Sequence, residues 1–146
     1  MSCFETVGYG YSSILCEDIA SWFINKFVPR HKFFVRIVHK GLKREQSFGF
    51  CDFVDQAYRP RVFVIEVQAN LSKEMYAKTL LHEFVHLKQW LHGTLKMKSG
   101  KMYFEGESVA KYEYMDQPHE VEAYDSEDKL YLDFMYDTYG VWLGDE

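Results

Sequence analysis

The chain has 146 residues, of which 47% are hydrophobic and 18% aromatic. This composition excludes a disordered chain, because it provides enough apolar surface to build a core. The formal net charge of −5 argues against a general nucleic-acid binder, since phosphate contacts require clustered Lys and Arg. We therefore expect one folding unit that spans residues 1–146.

The cysteines and the hydropathy pattern predict a cytoplasmic protein. The sequence contains Cys3, Cys16 and Cys51, an odd number without C-x-x-C spacing, so neither a disulfide framework nor a cysteine zinc knuckle is expected. The first eleven residues lack the charged and apolar segments of a secretory leader, and no window has about 18 consecutive apolar residues. We expect no membrane association.

The first half of the chain predicts one helix and three strands. Ser13 can cap a helix whose apolar residues recur at spacings of three and four, and which ends before Pro29. Residues 33–39 and 48–54 are rich in β-branched and aromatic side chains, and the turn-like segment 40–45 between them predicts that they pair. Residues 61–68 alternate between apolar and polar and form the clearest predicted strand.

The second half predicts two helices joined by a hairpin. Ser72 can cap a helix over residues 73–92, and Gly93 is typical of the position after a helix. A hairpin-like stretch follows at 94–109, and the last helix is predicted for 116–138. Its predicted inner stripe consists of Val121, Tyr124, Tyr131, Phe134 and Met135. A sheet covered on one side by helices is an α+β domain.

The predicted helix after Ser72 carries the sequence H-E-x-x-H, formed by His82, Glu83 and His86. Histidines four residues apart lie on one helical face, so both imidazoles can reach one Zn²⁺. Glu83 is rotated away from that face and is the predicted general base for a zinc-bound water. The alternatives are surface histidines beside a salt-bridging Glu83, or a purely structural zinc site.

A third ligand must come from elsewhere, because a catalytic zinc generally has three protein ligands and one open position. The candidates are Glu120, His92 and His119. His92 has the spacing of the metzincin motif, but Gln89 stands where that motif needs a glycine for a sharp turn. His119 would give a three-histidine site that resembles the SprT-like proteases.

The segment from Pro118 to Asp125 reads P-H-E-V-E-A-Y-D and resembles the gluzincin clan of metallopeptidases, in which a second helix supplies a Glu as E-x-E-A or E-x-x-A. The resemblance covers mainly residues 60–136 and implies a single zincin-like metallopeptidase domain. It implies Glu120 as the third ligand of one Zn²⁺ ion, and peptide-bond hydrolysis by a zinc-bound water that Glu83 activates.

Two neighbours of Glu120 are further site candidates. Many of these families carry an Asp four residues after the ligand, where it hydrogen-bonds a zinc-bound histidine. Tyr124 occupies that position here, and Asp125 follows it. Either could contact a ligand, and Tyr124 could instead stabilise the developing oxyanion or be an ordinary core tyrosine.

The resemblance also implies where a substrate would bind and in which compartment the protein would act. In gluzincin-like folds the strand before the active-site helix forms the cleft edge and pairs with an extended substrate, which implies that role for the strand from Arg61 to Gln68; an ordinary sheet edge is the alternative. The chain is also similar to short uncharacterised gluzincin-like proteins of bacteria and bacteriophages, which implies the host cytoplasm for a phage-encoded protein.

Two rival functions remain open at this point. The first is a catalytically silent binding domain that keeps zinc only for folding. The second is a SprT-like, DNA-associated protease that acts on crosslinked proteins, against which the acidic pI argues.

Overall fold

The computed structural model describes residues 3–41 and 48–143, and within them it has a mixed α+β architecture. Four strands form the main sheet, in the order β1-β2-β4-β3: β1 (Phe4–Gly8), β2 (Phe34–Lys40), β3 (Gly49–Phe53) and β4 (Val62–Gln68). Strands β1, β2 and β4 are parallel, and β3 runs antiparallel to β4. The predicted fold class is confirmed.

Strand β4 lies inside the sheet, which corrects two expectations from the sequence. It pairs with β2 on one side and with β3 on the other, so the strand from Arg61 to Gln68 is not a sheet edge, and β2 and β3 do not pair with each other. The reason is composition: β4 is the most apolar strand, whereas β3 carries a glycine and an aspartate, which suit an edge. The predicted turn at 40–45 falls mostly outside the described residues.

The described residues form three α-helices: α1 (Ser13–Phe27), α2 (Lys73–His92) and α3 (Pro118–Tyr139). Helices α1 and α2 pack on this sheet, and α3 packs on α2. The side chain of Ser72 caps α2, and Gly93 ends it in the left-handed conformation, both as predicted. Helix α1 is capped by Ser12 rather than Ser13. Strand β1 was not predicted, because its five residues are few and do not alternate between apolar and polar side chains.

The core lies between the sheet and the helices. Val35 and Ile37 of β2 and Phe63, Ile65 and Val67 of β4 are fully buried and belong to one apolar cluster with residues of α1 and α2. Burial of this apolar surface is the main force that fixes both helices on the sheet.

The inner face of α3 differs from the predicted stripe. Val121 and Tyr124 are exposed, so their assignment to the core is wrong. The buried positions of this helix are His119, Ala123, Leu130 and Phe134. Ala123 is small enough to allow α3 to approach α2 closely, which brings the acidic residues of α3 toward the H-E-x-x-H segment.

A small antiparallel sheet follows α2, as the hairpin prediction indicated. It consists of β5 (Leu95–Lys98), β6 (Lys101–Phe104) and β7 (Glu107–Ser108). Across the described ranges, no helix has both the length and the apolar character needed to cross a bilayer.

Candidate metal centre

Three side chains from two helices converge in one cleft. Nε2 of His82 lies 3.1 Å from Oε1 of Glu120, and Nε2 of His86 lies 3.2 Å from the same oxygen. The potential ligand atoms of the three residues all lie within 4.8 Å of one another, so the group could hold a metal ion. The two histidines are buried because α2 packs its apolar residues into the core around them.

The remaining nitrogen of each imidazole is held by a partner that accepts a hydrogen bond. Nδ1–H of His82 donates to Oε2 of Glu127 at 2.9 Å, and Nδ1–H of His86 donates to Oε1 of Gln89 at 2.8 Å. When both rings are neutral, these bonds leave the Nε2 lone pair of each ring directed at Glu120, which itself only accepts. Three acceptors in such proximity repel one another unless a cation lies between them, so the donor set fits a divalent metal ion.

Gln89 also ties the two helices together. Its amide nitrogen donates to the carbonyl oxygen of His119 at 3.0 Å and to Oε1 of Glu122 at 2.7 Å. Because its oxygen faces His86 and its nitrogen faces two acceptors, both the oxygen and the nitrogen of this buried amide have hydrogen-bond partners. Gln89 therefore fixes both the ring of His86 and the start of α3.

Glu83 is a buried carboxylate that faces the same cleft. Within the described part of the chain its side chain accepts no hydrogen bond. Burial raises the pKa of Glu83 to about 7, although the positive charges of His86 and His82 oppose this effect. A carboxylate with a pKa near neutrality can both accept and return a proton, as a general base requires.

The pKa values of His82 and Glu120 depend on the hydrogen bonds between them. Burial would lower the pKa of His82, but its hydrogen bonds to Glu120 and Glu127 raise it to about 9. Burial likewise opposes the charged form of Glu120, yet the hydrogen bonds with both histidines hold its pKa well below the usual range. A metal ion would take the place of the proton that these acceptors otherwise attract.

His119 lies beside the centre without joining it. Its Nε2 is 3.8 Å from Oε2 of Glu120, and its ring centroid is 5.3 Å from that of His86. Burial and then the positive charge of His86 lower its pKa to about 4, so its ring is neutral. Its Nδ1 is buried and has no hydrogen-bond partner among the described residues.

Of the remaining predicted site residues, one lines the cleft and two do not. Tyr124 lines the cleft, with its ring centroid 4.5 Å from that of His82. Asp125 is exposed and does not line the cleft, and the contact expected of it or of Tyr124 is made by Glu127. His92 lies outside the group, with its ring 5.2 Å from that of His31. It is not brought to the other two histidines.

Sequence reasoning missed Glu127, Gln89 and Tyr114. Glu127 lies seven residues after Glu120, two helical turns along the same face, and this spacing could have revealed it. Gln89 lies three residues after His86 in an apolar helix, where a buried amide needs partners. Tyr114, which lines the cleft from the segment before α3, leaves no such signal in the sequence.

The comparisons with known proteins identified no relative: no protein family, curated protein or solved structure matches the chain. The functional interpretation therefore depends on the geometry of the centre.

The stability of the metal-free protein is expected to fall as the pH rises from about 6.5 to about 9. The pKa of His82 is raised from 6.5 to about 9 on folding, and a raised pKa contributes stability that is lost as the pH rises through the folded value. The loss should amount to about 3 kcal/mol. Urea denaturation in a chelator at several pH values measures it, and a free energy of unfolding that rises over this range would contradict the prediction.

Proposed function

We propose that the protein is a zinc-dependent peptidase that hydrolyses peptide bonds in extended segments. The observation that carries the proposal is the pairing of Glu83, a buried carboxylate without a hydrogen-bond partner in the described chain, with the ligand group of His82, His86 and Glu120 in one cleft. A metal site with only a structural role needs no such carboxylate. Burial of the Glu83 carboxylate would then lower the stability of the fold without any compensating interaction.

Zinc is the metal that this donor set and its neighbour favour. Two imidazoles and one carboxylate are the ligands of many catalytic zinc sites and also of iron(II) oxygenases. Glu83 favours zinc, because hydrolysis needs a base beside the metal. When bound here, zinc would lower the pKa of a water molecule and polarise a substrate carbonyl.

The protein side chains would handle the proton and the negative charge. Glu83 would accept the proton of the attacking water and deliver it to the leaving amine, for which its raised pKa is suited. Tyr124 and the neutral ring of His119 line the same cleft and could donate hydrogen bonds to the oxyanion that forms on the attacked carbonyl. Glu127 and Gln89 would hold the two imidazoles in orientation.

No described strand pairs with the outer edge of β3, and this edge supports an extended substrate. Phe48 and Val54 form backbone hydrogen bonds with β4, and in an antiparallel ladder the residues between such positions alternate in direction. The backbone groups of Gly49, Cys51 and Phe53 therefore point away from β4, and β3 lines the cleft at Gly49 and Cys51. A peptide could add to this edge through main-chain hydrogen bonds.

Gly49 is what allows β3 to lie so close to the centre. A Cβ atom at this position would come within 2.7 Å of the carbonyl oxygen of Glu66 and 3.4 Å of Cγ of Glu83. Any larger residue would push β3 away from α2 and widen the cleft beside the proposed base.

The proposal is tested with unstructured peptides and metal-loaded protein. Purified protein is stripped with a chelator, reloaded with zinc or iron(II), and incubated with a mixture of denatured peptides whose products are identified by mass spectrometry. Cleavage that appears with zinc and disappears with the chelator supports the proposal. Tight zinc binding without any cleavage would favour the catalytically silent binding domain, and cleavage that requires DNA would favour the DNA-associated protease.

A further inference from the structure

A second cavity, of about 260 Å³, adjoins the cleft and is lined by cationic side chains. Arg59, Arg61 and Lys96 line it together with His92. Neither the two arginines nor the lysine forms an ion pair with another described residue. We call this cavity the cationic pocket.

The charge of the cationic pocket is only weakly balanced. None of its described lining residues is an Asp or Glu, and the neighbouring carboxylate of Asp55 accepts hydrogen bonds from the backbone N–H groups of Arg61 and Val62. Burial and then the positive charges of His92 and Arg61 lower the pKa of the adjacent His31. Cations collected without a counter-charge are the usual property of an anion-binding site.

The cleft has the opposite charge. Asp52, Glu83, Glu120 and Glu127 line it, and none of its described lining residues is a Lys or Arg. A bound divalent ion would neutralise only part of this negative charge. An acidic ligand is thus repelled by the cleft and attracted by its neighbour, so the two cavities favour different parts of one ligand.

The two cavities are neighbours that share part of their walls. Trp90 and Leu95 line both of them, and the ring of Phe53 packs edge-on against Trp90 at 5.1 Å. The cleft is lined by residues 48–52, and the cationic pocket by residues 57–61, which follow β3. A peptide that extends along β3 past Phe53 would therefore meet the cationic pocket next.

We propose that the cationic pocket binds the carboxylate side chains of an acidic segment in the peptide substrate, beside the residues that occupy the cleft. The path of the peptide rests on the proposed function, whereas the affinity of the pocket for carboxylates does not depend on hydrolysis. The pocket would thus select substrates in which Asp or Glu residues lie near the cleaved bond.

The test measures binding rather than turnover. Zinc-loaded protein with Glu83→Gln is titrated against a fluorescein-labelled peptide that has an apolar centre and Asp and Glu residues at both ends, and anisotropy gives the dissociation constant. The reference peptide carries Asn and Gln in place of the acidic residues. The acidic peptide should bind about tenfold more tightly at low salt, and the difference should shrink at high salt.

Two double variants separate the pocket from the overall charge of the protein. Arg59→Glu with Lys96→Glu reverses two charges in the pocket, and Lys73→Glu with Lys101→Glu reverses two that line neither cavity. Only the first is expected to abolish the preference for the acidic peptide. Equal losses in both variants, or equal binding of the two peptides, would overturn the proposal.

Competition identifies the source of the anion. Inorganic phosphate and a short single-stranded DNA are added to the preformed peptide complex. If either displaces the acidic peptide at concentrations below that of the unlabelled peptide, the carboxylate assignment is overturned. Failure of hydrolysis with retained peptide selectivity would remove the proposed function and leave this inference standing.

Discussion

Replacement of Glu83 by Gln should lower the rate of peptide hydrolysis by about a thousandfold, the size expected when a general base is lost. Gln keeps the shape of the side chain but cannot accept a proton, and it carries no charge to bury. Zinc affinity and thermal stability should therefore stay close to the wild-type values. Initial rates, metal content and unfolding temperature measure the three quantities.

Glu74→Gln is the matched control for this variant. Glu74 is exposed and lies in the first turn of the same helix, so the same chemical change there should leave the rate unaltered. A Glu83→Gln protein that retained the full rate would exclude this carboxylate as the base. Equal losses of rate and of zinc would instead show that Glu83 acts on metal binding.

Removal of the Glu120 carboxylate should lower zinc affinity by more than about 100-fold. Loss of a residue that merely hydrogen-bonds a metal ligand typically costs 10- to 100-fold, and Glu120 contacts both histidines directly through one oxygen. The Glu120→Ala variant would keep the hydrogen bond between Glu127 and His82. Competition with a chromophoric zinc chelator measures the affinity.

Asp125→Ala is the control for Glu120→Ala. Asp125 lies on the same helix, is exposed and does not line the cleft, so its removal should leave zinc affinity unchanged. Comparable losses in both variants would indicate a general effect of acidic charge on α3. Retention of zinc by the Glu120→Ala protein would exclude Glu120 as a ligand.

The sequence predicted the centre better than it predicted the sheet. His82 and His86 are close in the chain, and the helical repeat determines their relation. Glu120 could be assigned from a short resemblance because its helix also carries Ala123 at the close approach to α2. Such local patterns depend on few distant contacts, and the structure brings these residues together as expected.

Strand order depends on distant pairing and was partly wrong. The apolar alternation of β4 identified a strand, but alternation does not indicate how many neighbours a strand has. Its central position results from pairing with β2 on one side and with β3 on the other. The sheet edge that lines the cleft is therefore β3 rather than the strand from Arg61 to Gln68.

Hydrogen-bonding partners of the ligands were equally hard to predict. In the sequence Gln89 only marks a departure from the metzincin glycine, whereas in the structure its amide contacts His86 and the start of α3. The sequence pattern reports which face a residue lies on but not which distant group meets it. Glu127 was missed for the same reason.

The ligand group joins helices that are far apart in the chain. His86 and Glu120 are separated by 34 residues, and the whole small sheet of β5, β6 and β7 lies between them. A metal ion held by both would act as a cross-link that closes this loop, and the lost freedom of the unfolded chain would be worth about 3 to 4 kcal/mol by the relation used for disulfides. Metal supply would then control how firmly the C-terminal helix is held to the rest of the fold.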